Sequence, residues 1–161
     1  MKLLSLFSGC GGMDIGFEGD FVCLKKSMNS SLHPDWIKET SGDWVRVAPT
    51  IFDTVFANDI RPDAKAAWVS YFGGRKDNAN AIYHLDSIVD LVKRARAGEP
   101  IFPDKVDIVT GGFPCQDFSV AGKRLGFHSQ KSHLGTILTG DEPSVESRGQ
   151  LYMWMREVIS L

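Results

Sequence analysis

The sequence of 161 residues predicts an α/β fold, a parallel sheet with helices packed on it. Three observations carry that prediction. Apolar, β-branched runs of strand length alternate with segments of helical period. The first run ends in a glycine-rich turn, Ser8-Gly9-Cys10-Gly11-Gly12, that opens straight into a helix. The last run, residues 105–110, ends in Gly111-Gly112-Phe113-Pro114-Cys115, so a cysteine sits at the carboxyl end of a buried strand. In open α/β sheets ligands bind at those carboxyl ends.

Composition narrows the class. A hydrophobic fraction of 43% and a charged fraction of 24% suit one globular domain with a real core. No run of eighteen apolar residues is present, so no membrane span is expected. Cys10, Cys23 and Cys115 have neither CxxC spacing nor an even count, which argues against a disulfide framework or a zinc site. His128 and His133 are not spaced with other ligands, and no metal is expected. Free thiols suit a cytoplasmic location.

The elements follow in order. Residues 2–7 form the first strand, and Met13 starts the first helix after the glycine turn. Residues 19–50 are polar and irregular and read as an insertion, a surface excursion with Trp36 and Trp44 inside it. Residues 50–57 are the second strand, ended by Asn58-Asp59-Ile60. An acid at that point of a nucleotide-binding fold hydrogen-bonds ribose hydroxyls, so Asp59 is a candidate; a turn or cap residue is the competing reading. Pro62-Asp63 begins a helix that stops at Gly73-Gly74. Residues 79–85 read as a short third strand, and Asp86 is placed to cap the helix 87–97, whose Ile88, Leu91, Val92 and Ala95 share a face. A turn-rich connector leads to the fourth strand. Beyond Gly122 lies a glycine-hinged basic loop with Lys123 and Arg124, then an uneven polar stretch, 128–147. The last helix, 151–161, carries Leu151, Met155 and Val158 on one face, with Trp154 and Ile159 nearby.

Gly-Gly-Phe-Pro-Cys-Gln-Asp-Phe-Ser-Val-Ala-Gly, residues 111–122, resembles the catalytic loop of the DNA cytosine methyltransferases that act on carbon 5 of the base. Leu6-Phe7-Ser8-Gly9-Cys10-Gly11-Gly12 resembles the first cofactor motif of the same family, and Arg148-Gly149-Gln150-Leu151-Tyr152 a later one. The resemblance implies an incomplete Rossmann-like sheet of about four parallel strands, S-adenosylmethionine as methyl donor and double-stranded DNA as substrate. It makes Cys115 the nucleophile that adds to carbon 6 of a cytosine turned out of the duplex. Phe7, Gly9, Gly11 and Gly12 would line the methionine part of the cofactor, with Cys10 packing rather than reacting. Asp59, where the family most often has glutamate, would hold the ribose. Ile60 would lie on the adenine face, and Asp86 would bond the adenine amine unless it caps the helix. Pro114 belongs to the cofactor side and limits where Cys115 points. Gln116, Ser119, Lys123 and Arg124 would face the nucleic acid.

The resemblance covers nearly the whole chain but only the amino-terminal part of a family catalytic domain. The family's Glu-Asn-Val segment, which protonates ring nitrogen 3, is absent, as are the arginine-rich motif and the target-recognition domain. A net charge of −2 is low for a duplex-binding protein, so the main DNA-holding part is expected elsewhere. The expectation is a gene fragment or one subunit of a split enzyme, completed by a second polypeptide, in a restriction–modification setting. Two alternatives stay open: a transfer RNA cytosine methyltransferase, and a non-catalytic module that binds S-adenosylmethionine or a partner.

Overall fold

The computed structural model describes residues 1–113, 131–134, 136–137 and 147–161. Pro114, Cys115, Gln116, Ser119, Lys123 and Arg124 lie outside the described residues.

Strand β1 (Lys2–Leu6) runs through the middle of the sheet. Helix α1 (Gly12–Glu18) follows the glycine turn, and β5 (Asp53–Asn58) pairs parallel to β1. Helix α2 (Pro62–Phe72), the single turn α3 (Ala79–Ile82) and the two-residue strand β6 (Tyr83–His84) come next. Helix α4 (Ile88–Arg96), strand β7 (Ile108–Gly111) and helix α5 (Leu151–Ser160) follow. The strand order is β6-β5-β1-β7, all parallel. The chain thus winds outward from β1 on one side, then crosses to β7 on the other. That reversal makes a topological switch point between β1 and β7.

Alternation along the strands feeds two cores. Leu4, Leu6 and Phe56 pack with Ile88, Val89, Leu91 and Val92 of α4 and with Leu151, Trp154 and Val158 of α5. Ala57 and Tyr83 pack on the opposite side with Trp68 and Phe72 of α2 and Ala79 and Ile82 of α3. The α4 stripe is wider than a period-matched count suggests, because Val89 is buried too, and Ile159 on α5 is exposed. Arg96, at the end of α4, is paired with Glu157 of α5.

Three sequence expectations need correction. Residues 19–50 are not irregular. They form an antiparallel sheet of order β2-β4-β3 from β2 (Val22–Leu24), β3 (Ile37–Ser41) and β4 (Trp44–Val47). Ser41 pairs with Trp44 across the two-residue turn Gly42-Asp43, a standard hairpin signal. Val45 points inward while Trp44 stays half exposed, so the strand alternates, but with charged neighbours that mask the pattern. The excursion leaves and returns at one place, where Gly19 bridges Pro49. Secondly, residues 79–82 are helical, not strand: the Ala81 and Ile82 N–H groups donate to the Asn78 carbonyl at 2.9 and 3.1 Å. Two alanines and an asparagine favour that turn over a strand. Thirdly, Asp86 does not cap α4. Ser87 does, its hydroxyl accepting from the Val89 N–H at 3.3 Å.

Candidate active site

The carboxyl ends of β1, β5 and β6 are stitched together by Asn58, whose side chain is 1% exposed. Its Oδ1 accepts from the Phe7 N–H at 3.2 Å and its Nδ2 donates to the Asp86 carbonyl at 3.1 Å. The backbone of Asn58 also takes part: its carbonyl accepts from the Ser8 N–H at 2.8 Å, and its N–H donates to the Ser8 hydroxyl at 3.2 Å. Phe7, the first residue past β1, is held at φ 54°, a left-handed conformation uncommon for a phenylalanine. Outliers of that kind cluster at functional sites.

The glycine turn has one packed face and one open face. At Gly11 (φ 85°) a Cβ would stand 2.6 Å from Cδ1 of Trp68, so only glycine lets the indole close against the turn. Among the described residues, a Cβ at Gly9 (φ 53°) or Gly12 would meet nothing within 4 Å. The side of the turn away from α2 is therefore open to close approach by another molecule. Gly9 is fixed at both of its peptide groups: its N–H donates to Asp59 Oδ2 at 3.1 Å and its carbonyl accepts from the Tyr83 hydroxyl at 2.9 Å. Cys10 is exposed, contrary to the expectation that it packs; the packed face is taken by Trp68 beneath Gly11.

Asp59 stands at the end of β5 with one oxygen on Gly9 and the other accepting from the Arg61 N–H at 3.1 Å. Each oxygen keeps a lone-pair direction for a further donor. Ile60 and Leu85, both 40% exposed, and the exposed Asp86 follow the same ends of β5 and β6. The Asp86 carboxylate has Arg94 at 4.0 Å and no helix-capping role to compete with ligand binding. His133 reaches this end as well, with its Nδ1 2.6 Å from the Ser87 hydroxyl.

On the other side of the switch point, β7 delivers Gly111-Gly112-Phe113 beside the turn. The Gly112 N–H donates to the Leu6 carbonyl at 3.1 Å, and Phe113 packs edge-on to Phe7 at 6.3 Å. The sequence runs on from there into Pro114-Cys115. Phe7, Gly9, Gly11, Gly12 and Asp59 are thus brought together, with Ile60 and Asp86 along the same sheet end. Asn58, Trp68 and Tyr83 were missed as contributors to the turn. No local sequence signal marked them, because the burial of the Asn58 amide and its distant partners appear only in the fold.

Beneath the turn, Asp14 of α1 is fully buried and accepts from the Trp68 indole N–H at 2.7 Å. Burial pushes its carboxyl above the usual carboxylate range, and the Trp68 hydrogen bond opposes that only in part. A raised folded-state value means that the native chain holds this proton where the unfolded chain has lost it. Stability from this group therefore falls as pH rises from the usual carboxylate range through the raised value. Asp14→Asn keeps an acceptor for Trp68 and cannot ionise. Urea midpoints from acid to neutral pH are expected to show the wild type losing ground to Asp14→Asn as pH rises; a constant gap would contradict this.

The four-stranded parallel sheet, its flanking helices and its switch point define an incomplete Rossmann-like α/β fold. Residues 1–138 match the family model for the C-5 cytosine-specific DNA methylases, and the chain belongs to that family. Among similar curated proteins, the Type II methyltransferase M.BsuRI of Bacillus subtilis is 32% identical over 129 residues, 78% of this chain and 25% of its own length. The Type II methyltransferase M.NgoFVII of Neisseria gonorrhoeae is 31% identical over 133 residues, 83% of this chain and 24% of its own length. The Type II methyltransferase M.AquIA of Picosynechococcus is 29% identical over 133 residues, covering 40% of its own length. The chain thus spans about a quarter of the first two relatives. No solved structure matches the chain significantly. Among the described residues no helix is long and apolar enough to cross a membrane.

Proposed function

We propose that this chain is the cofactor-binding and nucleophile-bearing part of a Type II enzyme that methylates carbon 5 of cytosine in DNA. The observation that carries the reading is the meeting of three parts at the switch point: the open-faced glycine turn, Asp59, and the strand end that runs into Pro114-Cys115. When bound, S-adenosylmethionine supplies an electrophilic methyl group. The chain's residues fit it: the open side of Gly9 and Gly12 admits the amino-acid part, Asp59 accepts from ribose hydroxyls, and Ile60 with Leu85 offers apolar surface to the adenine.

Cys115 acts on the base. Its thiolate adds to carbon 6 of an everted cytosine, which makes carbon 5 nucleophilic. After methylation, loss of the carbon 5 proton and expulsion of the thiolate restore the ring. Gln116, Ser119, Lys123 and Arg124 face the DNA, the two basic residues meeting phosphates.

In the family the glutamate of a Glu-Asn-Val segment protonates ring nitrogen 3 as the thiolate adds, and the proposed reaction needs the same acid. Among the described residues β7 is the outer strand on its side of the sheet. Beside it runs a groove of about 760 Å³ lined by Leu4, Phe102, Val106, Val109 and Val158. An open strand edge over an apolar groove is a place for strand addition, which supports a second polypeptide completing the sheet.

Trapping with a duplex containing 5-fluorocytosine and S-adenosylmethionine tests the proposal, because the fluorine blocks the release step and even slow addition accumulates. A covalent protein–DNA adduct that disappears in Cys115→Ser is expected. No adduct would favour a non-catalytic module, and an adduct with matched RNA alone would move the substrate to RNA.

A further inference from the structure

The sequence motifs place the glycine turn on the cofactor but say nothing of what holds the turn in shape. Gly9, with φ 53° and no side chain, has little of its own to fix it. In the folded chain its N–H is held from β5 by Asp59 and its carbonyl from β6 by Tyr83, at 3.1 and 2.9 Å. The Tyr83 ring is 1% exposed and lies against Trp68 at 5.4 Å, the same indole that closes on Gly11. Tyr83 is therefore anchored by its ring in the core while its hydroxyl reaches 74 residues back along the chain to the turn.

We infer that Tyr83 is a positioning residue for cofactor binding, its hydroxyl and the Asp59 carboxylate forming a two-sided clamp that sets the Gly9 peptide planes and so aims the open face of the turn. The inference rests on the cofactor reading given above. Burial, with the nearby Asp59 carboxylate adding to it, raises the phenol pKa, so the hydroxyl stays a donor across any working pH. The clamp also divides labour within one residue. The ring serves the core, and the hydroxyl serves the turn. Tyr83→Phe separates the two, because it removes one oxygen and keeps the packing.

The test compares wild type with Tyr83→Phe in the full chain by three measurements: S-adenosylmethionine affinity by calorimetry, thermal midpoint, and amide exchange without ligand. A single neutral hydrogen bond contributes enough to weaken the affinity by about 3- to 10-fold. The thermal midpoint is expected to stay within about 2 °C, less than the shift from losing one core contact. Exchange at the Gly9 and Gly11 amides should quicken while that of Leu4, Leu6 and Ala57 stays unchanged. Wild-type affinity and wild-type exchange in the variant would overturn the inference. A lowered midpoint with unchanged affinity would overturn it too, because that is what a purely structural hydroxyl does. If the wild type itself fails to bind S-adenosylmethionine, the cofactor reading fails and the exchange comparison alone decides whether Tyr83 holds the turn.

Discussion

Gly11→Ala is expected to cost the fold about 2–5 kcal/mol, whereas Gly9→Ala, two residues away, costs about 1–2 kcal/mol and instead weakens cofactor binding. Both residues have positive φ, 85° and 53°, so both alanines incur left-handed strain. Only at Gly11 does the new methyl collide, 2.6 Å from Trp68 Cδ1 and 3.1 Å from Phe72 Cε2. Those two rings are fully buried and stacked at 4.2 Å, so neither can swing away without opening the core. At Gly9 the methyl stands in open space on the side left for a ligand. Urea midpoints and S-adenosylmethionine affinities for both variants separate the two effects. Equal destabilisation, or wild-type affinity in Gly9→Ala, would contradict the division into a packed face and an open face.

The second large effect is expected at Asn58. Asn58→Leu is nearly isosteric, yet it leaves the Phe7 N–H and the Asp86 carbonyl without their partners. Both bonds are part-buried, and each contributes about 0.5–1.5 kcal/mol, so a loss of about 1–3 kcal/mol is expected. The structural consequence reaches further than the number, because Phe7 and Asp86 flank the site on two different strands. Loosening them should lower cofactor affinity beyond what Gly9→Ala does alone. Chemical denaturation measures the first effect and calorimetry the second. A leucine variant as stable as wild type would mean that water satisfies both groups and that Asn58 is not the stitch described above.

The sheet itself was legible from sequence. β1 is a leucine-rich run, β5 and β7 carry the apolar, β-branched content of buried strands, and glycine or Asp59 marks each carboxyl end. The third strand was expected at 79–85 but is only the two residues of β6, because local preference turns Ala79–Ile82 into helix and leaves Tyr83 and His84 to pair. The sheet within residues 19–50 was hidden for a different reason. Its strands are short and its outward positions are charged, as with Arg46 beside Asp20 and Glu39, so average polarity concealed a period-2 pattern. In the site, the candidate ligand-facing residues come from the motif resemblance. The residues that hold those in place, Asn58, Trp68 and Tyr83, do not. Their partners lie 28 to 74 positions away in sequence, and long-range pairing leaves no local pattern to read.

In the proposed function S-adenosylmethionine binds on the open face of the glycine turn. Cys10 sits in that turn, exposed, between Gly9 and Gly11, and Cys23 lies half buried in the separate small sheet. Thiol alkylation followed by mass spectrometry therefore carries its own internal control. Saturating S-adenosylmethionine is predicted to slow labelling of Cys10 and leave Cys23 unchanged; equal labelling of Cys10 with and without the cofactor would contradict the account.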